Sequence, residues 1–207
     1  MMAIDIGALY DELRDRHGDL DGWDWWPMPA GRIQQLAGAI LVQQNRFSRV
    51  ELSLAALGDA GLLDADALAV ADPDQVVALI RPSGLVRKKA PALVAAAAWL
   101  RDHGDTAAQL DDDELYRTLR RLPLVGPESA DVVMMYSYHR SRHITDTYAR
   151  QLYAARGLPT TRSYQACARA LATAWEAAAL TPAEAAAFHA LVVTHAQAGK
   201  LAAEEAA

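Results

Sequence analysis

"LPLVGPESAD", residues 122–131, reads as a helix that stops, turns tightly and starts again. Pro123 ends the first helix, Gly126 permits a turn that most residues resist, and Pro127 suits a first helical position, where its missing N–H costs nothing. Upstream, "DDELYRTLRRL" (112–122) sets Leu115, Leu119 and Leu122 on one side of a helix. Downstream, "PESADVVMMYSY" (127–138) repeats Ala130, Val133, Met134 and Ser137 at helical spacing. The free amides of such a turn, with the start of the second helix, form a place for an anion, and a DNA phosphate is one. The same hairpin also serves as plain structure in many all-helical folds. Asp146, a short way downstream in "HITDTYARQL" (143–152), tips the balance between the two readings.

The chain of 207 residues is long enough for one large domain or two small ones. Hydrophobic residues make up 52% but aromatics only 7%. That imbalance reflects Ala and Leu, both strong helix formers, and favours an all-α protein. No apolar run approaches the ~20 residues of a membrane helix. The start, "MMAIDIGALYDELRDRHGDL", lacks the basic-then-apolar order of a signal peptide, so a cytoplasmic protein is expected. Cys167 is the only cysteine, which excludes an internal disulfide and any all-cysteine metal or iron–sulfur site. The net charge of −6 argues against a uniformly basic nucleic-acid binder. Acids, however, crowd into 64–74, 102–114 and 203–207, whereas Arg and Lys recur in 46–49, 81–89 and 140–150, so a basic face is compatible with the sum.

Helical periodicity predicts helices near 4–18, 31–44, 47–59, 74–81, 86–103, 112–121, 127–139, 145–156, 161–178 and 182–199. Pro82-Ser83-Gly84 breaks one helix, and Pro91 belongs to the first turns of the next or marks its true start. Thr181-Pro182 with Glu184 supplies an N-cap followed by Pro. No stretch alternates with period two for long enough to propose a sheet, and no repeat of 20–50 residues appears.

In Leu122-Pro123-Leu124-Val125-Gly126 followed by Ile144-Thr145-Asp146-Thr147, the chain resembles the helix–hairpin–helix (HhH-GPD) DNA glycosylases of the endonuclease III superfamily. Those proteins carry an L-P-G-V-G hairpin and then a catalytic aspartate in a V-D-T segment. The likeness extends upstream to "GAILVQQNRFSRVELSL" (38–54), similar to the helix carrying a Gln that enters the duplex. "IRPSGLVRKKAPAL" (80–93) is similar to the G-x-x-x-x-K-A helix start. "WWP" (25–27), "QQNRF", "RPSG", "GPESAD" and "FHALVVTH" (188–195) point to the branch of endonuclease III-related proteins and 3-methyladenine glycosylases. The chain departs in having Leu124 for the first hairpin glycine, and in lacking the C-terminal cysteine cluster, so no iron–sulfur cofactor is expected.

The resemblance implies two helical lobes with a DNA-binding cleft between them. Residues 31–144 would form a central domain with the hairpin near 115–138, and 1–30 plus 145–207 the other. It implies a monofunctional base-excision glycosylase, with alkylated purines such as 3-methyladenine favoured as substrate. Uracil, mismatched or oxidised bases are the alternative substrates, and a non-catalytic binder of DNA structures the alternative function. Double-stranded DNA with a damaged base is the expected partner of a monomer that binds no membrane, metal or cofactor.

Breaking the bond between base and sugar develops positive charge on the sugar, which a carboxylate stabilises while orienting the attacking water. Asp146 is the candidate, and it also reads as the N-cap of the next helix. Glu128 stands where bifunctional members have a lysine, and a carboxylate cannot form a Schiff base. Its plain reading is a favourable acid in a first helical turn. Trp25, Trp26 and Phe47 form either a pocket that stacks on a flipped, electron-poor base or ordinary core. Gln43 or Gln44 fills the hole left in the duplex, with the family pattern favouring Gln43. Arg46, Arg49, Arg87, Lys88, Lys89 and Arg150 are candidate phosphate contacts, together with the hairpin residues Leu124, Val125 and Gly126. His189 and His195, six apart, lack the spacing of a paired metal site on one helix face and read as structural.

Overall fold

The computed structural model describes residues 5–20 and 31–205, with side chains described as far as residue 199. Those residues fold into twelve α-helices and one 3₁₀ turn, with no strand among them. They are α1 (Ile6–His17), α2 (Gly31–Leu41), α3 (Phe47–Asp59), α4 (Ala65–Ala69), α5 (Pro73–Leu79) and α6 (Val86–Ala107). Next come α7 (Asp112–Leu119), α8 (Pro127–Tyr138), α9 (Thr147–Ala155), α10 (Tyr164–Ala170), α11 (Ala172–Ala178) and α12 (Pro182–Glu205). The all-α expectation holds. Two details differ from the periodicity. The short α4 escapes it because five residues hold too little pattern, and the segment 161–178 divides at Leu171, which has left helical geometry at φ −109 and ψ 4.

Much of the acid clustering has a local purpose. Asp5, Asp64, Asp72, Asp111 and Asp146 each cap a helix by accepting a backbone N–H from its first turn. Each cap of this kind is worth about 1 kcal/mol. The Thr181–Glu184 pair forms a reciprocal capping box, with the Glu184 carboxylate accepting from Thr181 N at 2.8 Å and Thr181 Oγ1 accepting from Glu184 N at 3.3 Å. Pro91 lies inside α6, not at its start.

The chain divides into two compact units, one formed by α1 with everything from His139 onward, the other ending at Tyr138. In the second unit α2 packs on α3, α6 and α8, α6 carries α4 and α5, and α7 lies against α8. Its core includes Leu36, Ile40, Val50, Leu93, Leu115 and Met134. In the first unit α12 packs on α1 and α9, and α1 also meets α11. Ile6, Leu13, Tyr153, Phe188 and Leu191 fill its core, where Tyr10 meets Phe188 edge-on at 6.3 Å. Among the described residues no helix is long and apolar enough to cross a membrane.

Candidate functional site

The hairpin joins α7 to α8 through residues 120–126, and its shape is held from three sides. Val125 is buried at its centre and donates its N–H to Leu122 O at 3.2 Å. The Arg120 guanidinium donates to Val125 O, and the Gln43 side-chain amide donates to Leu124 O. Pro127 occupies the first position of α8, as its fixed φ suits. The left-handed position of the turn is not at Gly126, contrary to the sequence reading. Leu124 takes it, at φ +60, and exposes its side chain. This accounts for the glycine that the related hairpin pattern has at that place. A left-handed residue with a side chain costs roughly 1–2 kcal/mol, and the surrounding hydrogen bonds hold Leu124 there. A Cβ at Gly126 would meet nothing within 4 Å. Glu128 lies in the first turn of α8, beside the helix amides that have no intrahelical acceptor.

Gln43 lies just past the end of α2, and its Nε2 also approaches Ser129 Oγ at 3.3 Å. Gln44 is exposed and left-handed, at φ +55. Arg46, Arg49 and Arg87 stand at the surface of the same unit, with Lys88 beside them. Lys89 is not available to a phosphate: it is buried, and its ammonium donates to three backbone carbonyls. Phe47 opens α3 and is 39% exposed, which removes the core reading for it. Trp25 and Trp26 lie outside the described residues.

In the other unit, Asp146 precedes α9. Its Oδ1 accepts from Ala149 N at 2.8 Å, as an N-cap does. Its Oδ2 lies 3.8 Å from Nε2 of His189, a buried residue on α12. The segment before it is fixed by its neighbours. Arg150 donates to Thr145 O at 2.6 Å and to Thr147 Oγ1 at 3.2 Å, and Thr145 Oγ1 donates to Tyr164 O at 2.9 Å. Arg150 thus braces the aspartate's loop. Nearby in the chain, His143 stacks on Trp175 with ring centres 4.5 Å apart and planes within 4°. The His143 Nε2 meets the Tyr153 hydroxyl at 2.8 Å. Burial pushes the His143 imidazole down to about 4, so it is neutral at pH 7. Burial raises the Tyr153 hydroxyl, with Cys167 and Asp146 adding to the rise. His195 pairs with His17, Nδ1 to Nε2, at 3.0 Å.

A chain with this hairpin and a capped aspartate shortly after it is matched by one family model over residues 37–177, that of the HhH-GPD superfamily base excision DNA repair protein. The chain belongs to that superfamily. A Methanocaldococcus jannaschii protein named as a DNA repair glycosylase is 29% identical over 158 residues, covering 74% of this chain and 70% of that one. The crystal structure of the H. pylori 3-methyladenine DNA glycosylase MagIII, bound to 1,N6-ethenoadenine, is similar at a TM-score of 0.79 and 20% identity. The match covers 95% of this chain and 99% of that one. A non-covalent endonuclease III–DNA complex is similar at a TM-score of 0.70 and 18% identity, over 90% of this chain and 82% of that one. At those identities the structural likeness is one of fold, and it makes the endonuclease III-like, all-helical architecture of this HhH-GPD chain plain.

The residues that carry this recognition are legible in the sequence as Gly, Pro and Asp at fixed spacing. Arg120, His143, Tyr153 and Trp175 are not, because each acts through a neighbour distant in sequence or, for Arg120, through a carbonyl that any residue supplies.

Proposed function

We propose that this chain is a monofunctional DNA glycosylase that removes a damaged base from duplex DNA, with alkylated purines such as 3-methyladenine its first substrates. The observation that carries the reading is the state of Asp146. One carboxylate oxygen is held by the helix amide while the other faces the buried His189, so the group is oriented before any substrate arrives. In the reaction the C1′–N bond breaks, its electron pair leaving with the base, and positive charge develops on the sugar. The carboxylate stabilises that charge. A water oxygen then bonds to C1′ and gives its proton to Asp146. Glu128, at the start of α8, offers no amine for a Schiff base, which supports hydrolysis without strand cleavage. It is a modulator of substrate choice in this reading.

The Gly126 amide, with the first turn of α8, binds a phosphate of the damaged strand, and the buried Val125 holds the turn in place. Leu124 contributes its backbone to that turn, and Arg46, Arg49, Arg87, Lys88 and Arg150 add positive charge toward other phosphates. Gln43 or Gln44 enters the gap left by the flipped nucleotide, and Phe47 with Trp25 and Trp26 stacks on the base. Overall acidity is no obstacle, since backbone amides bind anions without net charge.

The test is incubation with duplexes containing 3-methyladenine, 7-methylguanine, uracil, hypoxanthine or 8-oxoguanine, scored for abasic sites with and without hot alkali. Release of an alkylated base that needs alkali for scission is the expected result. Scission without alkali would overturn the monofunctional reading. Release of uracil or 8-oxoguanine alone would move the substrate class, and tight binding with no release would leave a DNA-structure binder.

A further inference from the structure

Lys89 stands in the first turns of α6, yet only 1% of it is exposed, which is rare for lysine. Its ammonium has three N–H donors and finds three backbone carbonyls: Leu41 O at 2.8 Å, Gln43 O at 3.0 Å and Ser83 O at 2.8 Å. Leu41 is the last residue of α2, where the final carbonyls have no intrahelical donor and carry the negative end of the helix dipole, and Gln43 lies two residues past it. The cation therefore caps α2 from a helix 46–48 residues away in sequence. The third acceptor, Ser83, is itself buried and donates its hydroxyl to Ser53 on α3 at 2.7 Å. A second tie runs alongside, from Asn45 Nδ2 to Pro82 O at 3.3 Å, while Asn45 Oδ1 accepts from Arg46 N at 2.9 Å.

These bonds define the bend at residues 42–46 from beneath. Gln44 is left-handed within it, a backbone state that needs outside support. Gln43 reaches from it to the hairpin. A methionine of the same volume would leave all three carbonyls without this donor, so the lysine is what ties the chain at 41–43 to the turn at Ser83. We propose that Lys89 is a positioning residue for the Gln43–Gln44 bend, fixing the backbone from which a glutamine enters the duplex. Its biological purpose rests on the glycosylase reading above, but its measurement does not.

The probe is a duplex with 2-aminopurine beside a tetrahydrofuran abasic analogue, whose fluorescence rises when a side chain enters and unstacks the base. Wild-type protein at saturation raises it, and the Gln43→Ala, Gln44→Ala double variant does not. Lys89→Met, at a temperature where circular dichroism shows it folded, loses most of the rise. Its kcat/KM on a lesion-bearing duplex falls roughly tenfold to a hundredfold, the size expected for a misplaced group. Release of the same lesion from a single strand, where no gap needs filling, is unchanged. Equal losses on both substrates, or a full fluorescence rise in Lys89→Met, overturn the proposal. Should Lys89→Met fail to fold, Asn45→Ala decides: the same pattern at smaller size supports the proposal, and wild-type behaviour overturns it. If wild-type protein releases no base from any lesion, the glycosylase reading fails, and the fluorescence comparison still judges Lys89. Absence of any wild-type rise overturns it.

Discussion

The hairpin region and the aspartate region solve different problems with different materials. Around the hairpin, charged and polar side chains serve the backbone: Arg120, Gln43 and Lys89 all donate to main-chain carbonyls. The product is a chain path, with amides presented at the start of α8. Around Asp146 a side chain still braces the loop, Arg150 donating to Thr145 O, but the main chain also serves a side chain, with Ala149 N orienting one carboxylate oxygen. There the product is one charged group in one rotamer. A surface that grips a sequence-independent phosphate requires only shape, whereas a group that meets a developing charge requires chemical identity.

The sharpest way to break that contrast is at Asp146. Asp146→Asn keeps an acceptor that caps α9 as well as Asp does, so urea stability should stay within about 0.5 kcal/mol. Single-turnover base release should fall by about a thousandfold or more, because the charge is gone. Asp146→Ala should lose the activity and about 1 kcal/mol as well. A protein that is destabilised by Asn, or remains active with it, would reduce Asp146 to a cap.

The next effect is on pH. His143 has a folded value of about 4 against an ordinary 6.5, so its charged form is disfavoured in the fold. Its contribution is fully present above pH 6.5 and lost as pH falls toward 4, to at most about 3 kcal/mol. His143→Phe keeps the stacking on Trp175 and should flatten that part of the stability–pH curve. A variant curve parallel to wild type between pH 6.5 and 4 would reject the assignment.

The smallest expected change sharpens the comparison from the hairpin side. Leu124→Gly relieves a left-handed residue and should raise stability by about 1 kcal/mol. Leu124→Val should lower it, since a β-branched residue tolerates φ +60 less well. Urea midpoints measure both. If Leu124→Gly is neutral or worse, packing by the leucine outweighs the backbone strain.

A good part of this molecule is readable without coordinates. Ala and Leu at helical spacing, broken by Pro and Gly, specify an all-helical chain, because local propensity and periodicity are properties of neighbours in sequence. The hairpin and Asp146 stand out for the same reason, each being a run of a few residues with a stereochemical signature. Two local readings nonetheless fail. Residue type points to Gly126 for the left-handed turn that Leu124 makes, since which residue of a turn takes positive φ depends on what holds the turn. Lys89 reads as one of a run of surface cations with Arg87 and Lys88, yet it alone of the three is buried.

Tertiary structure decides what sequence separation hides. Whether a lysine meets water or three carbonyls depends on where α2 and the turn at Ser83 come to lie, and no spacing rule encodes that. The pairing of Asp146 with His189, 43 residues on, is likewise a consequence of α9 packing on α12. Helix N-caps and helix faces are set by short-range sterics and hydrogen bonds, so the chain alone determines them. Burial and the partners of a buried charge are set by packing, and only the folded molecule determines those.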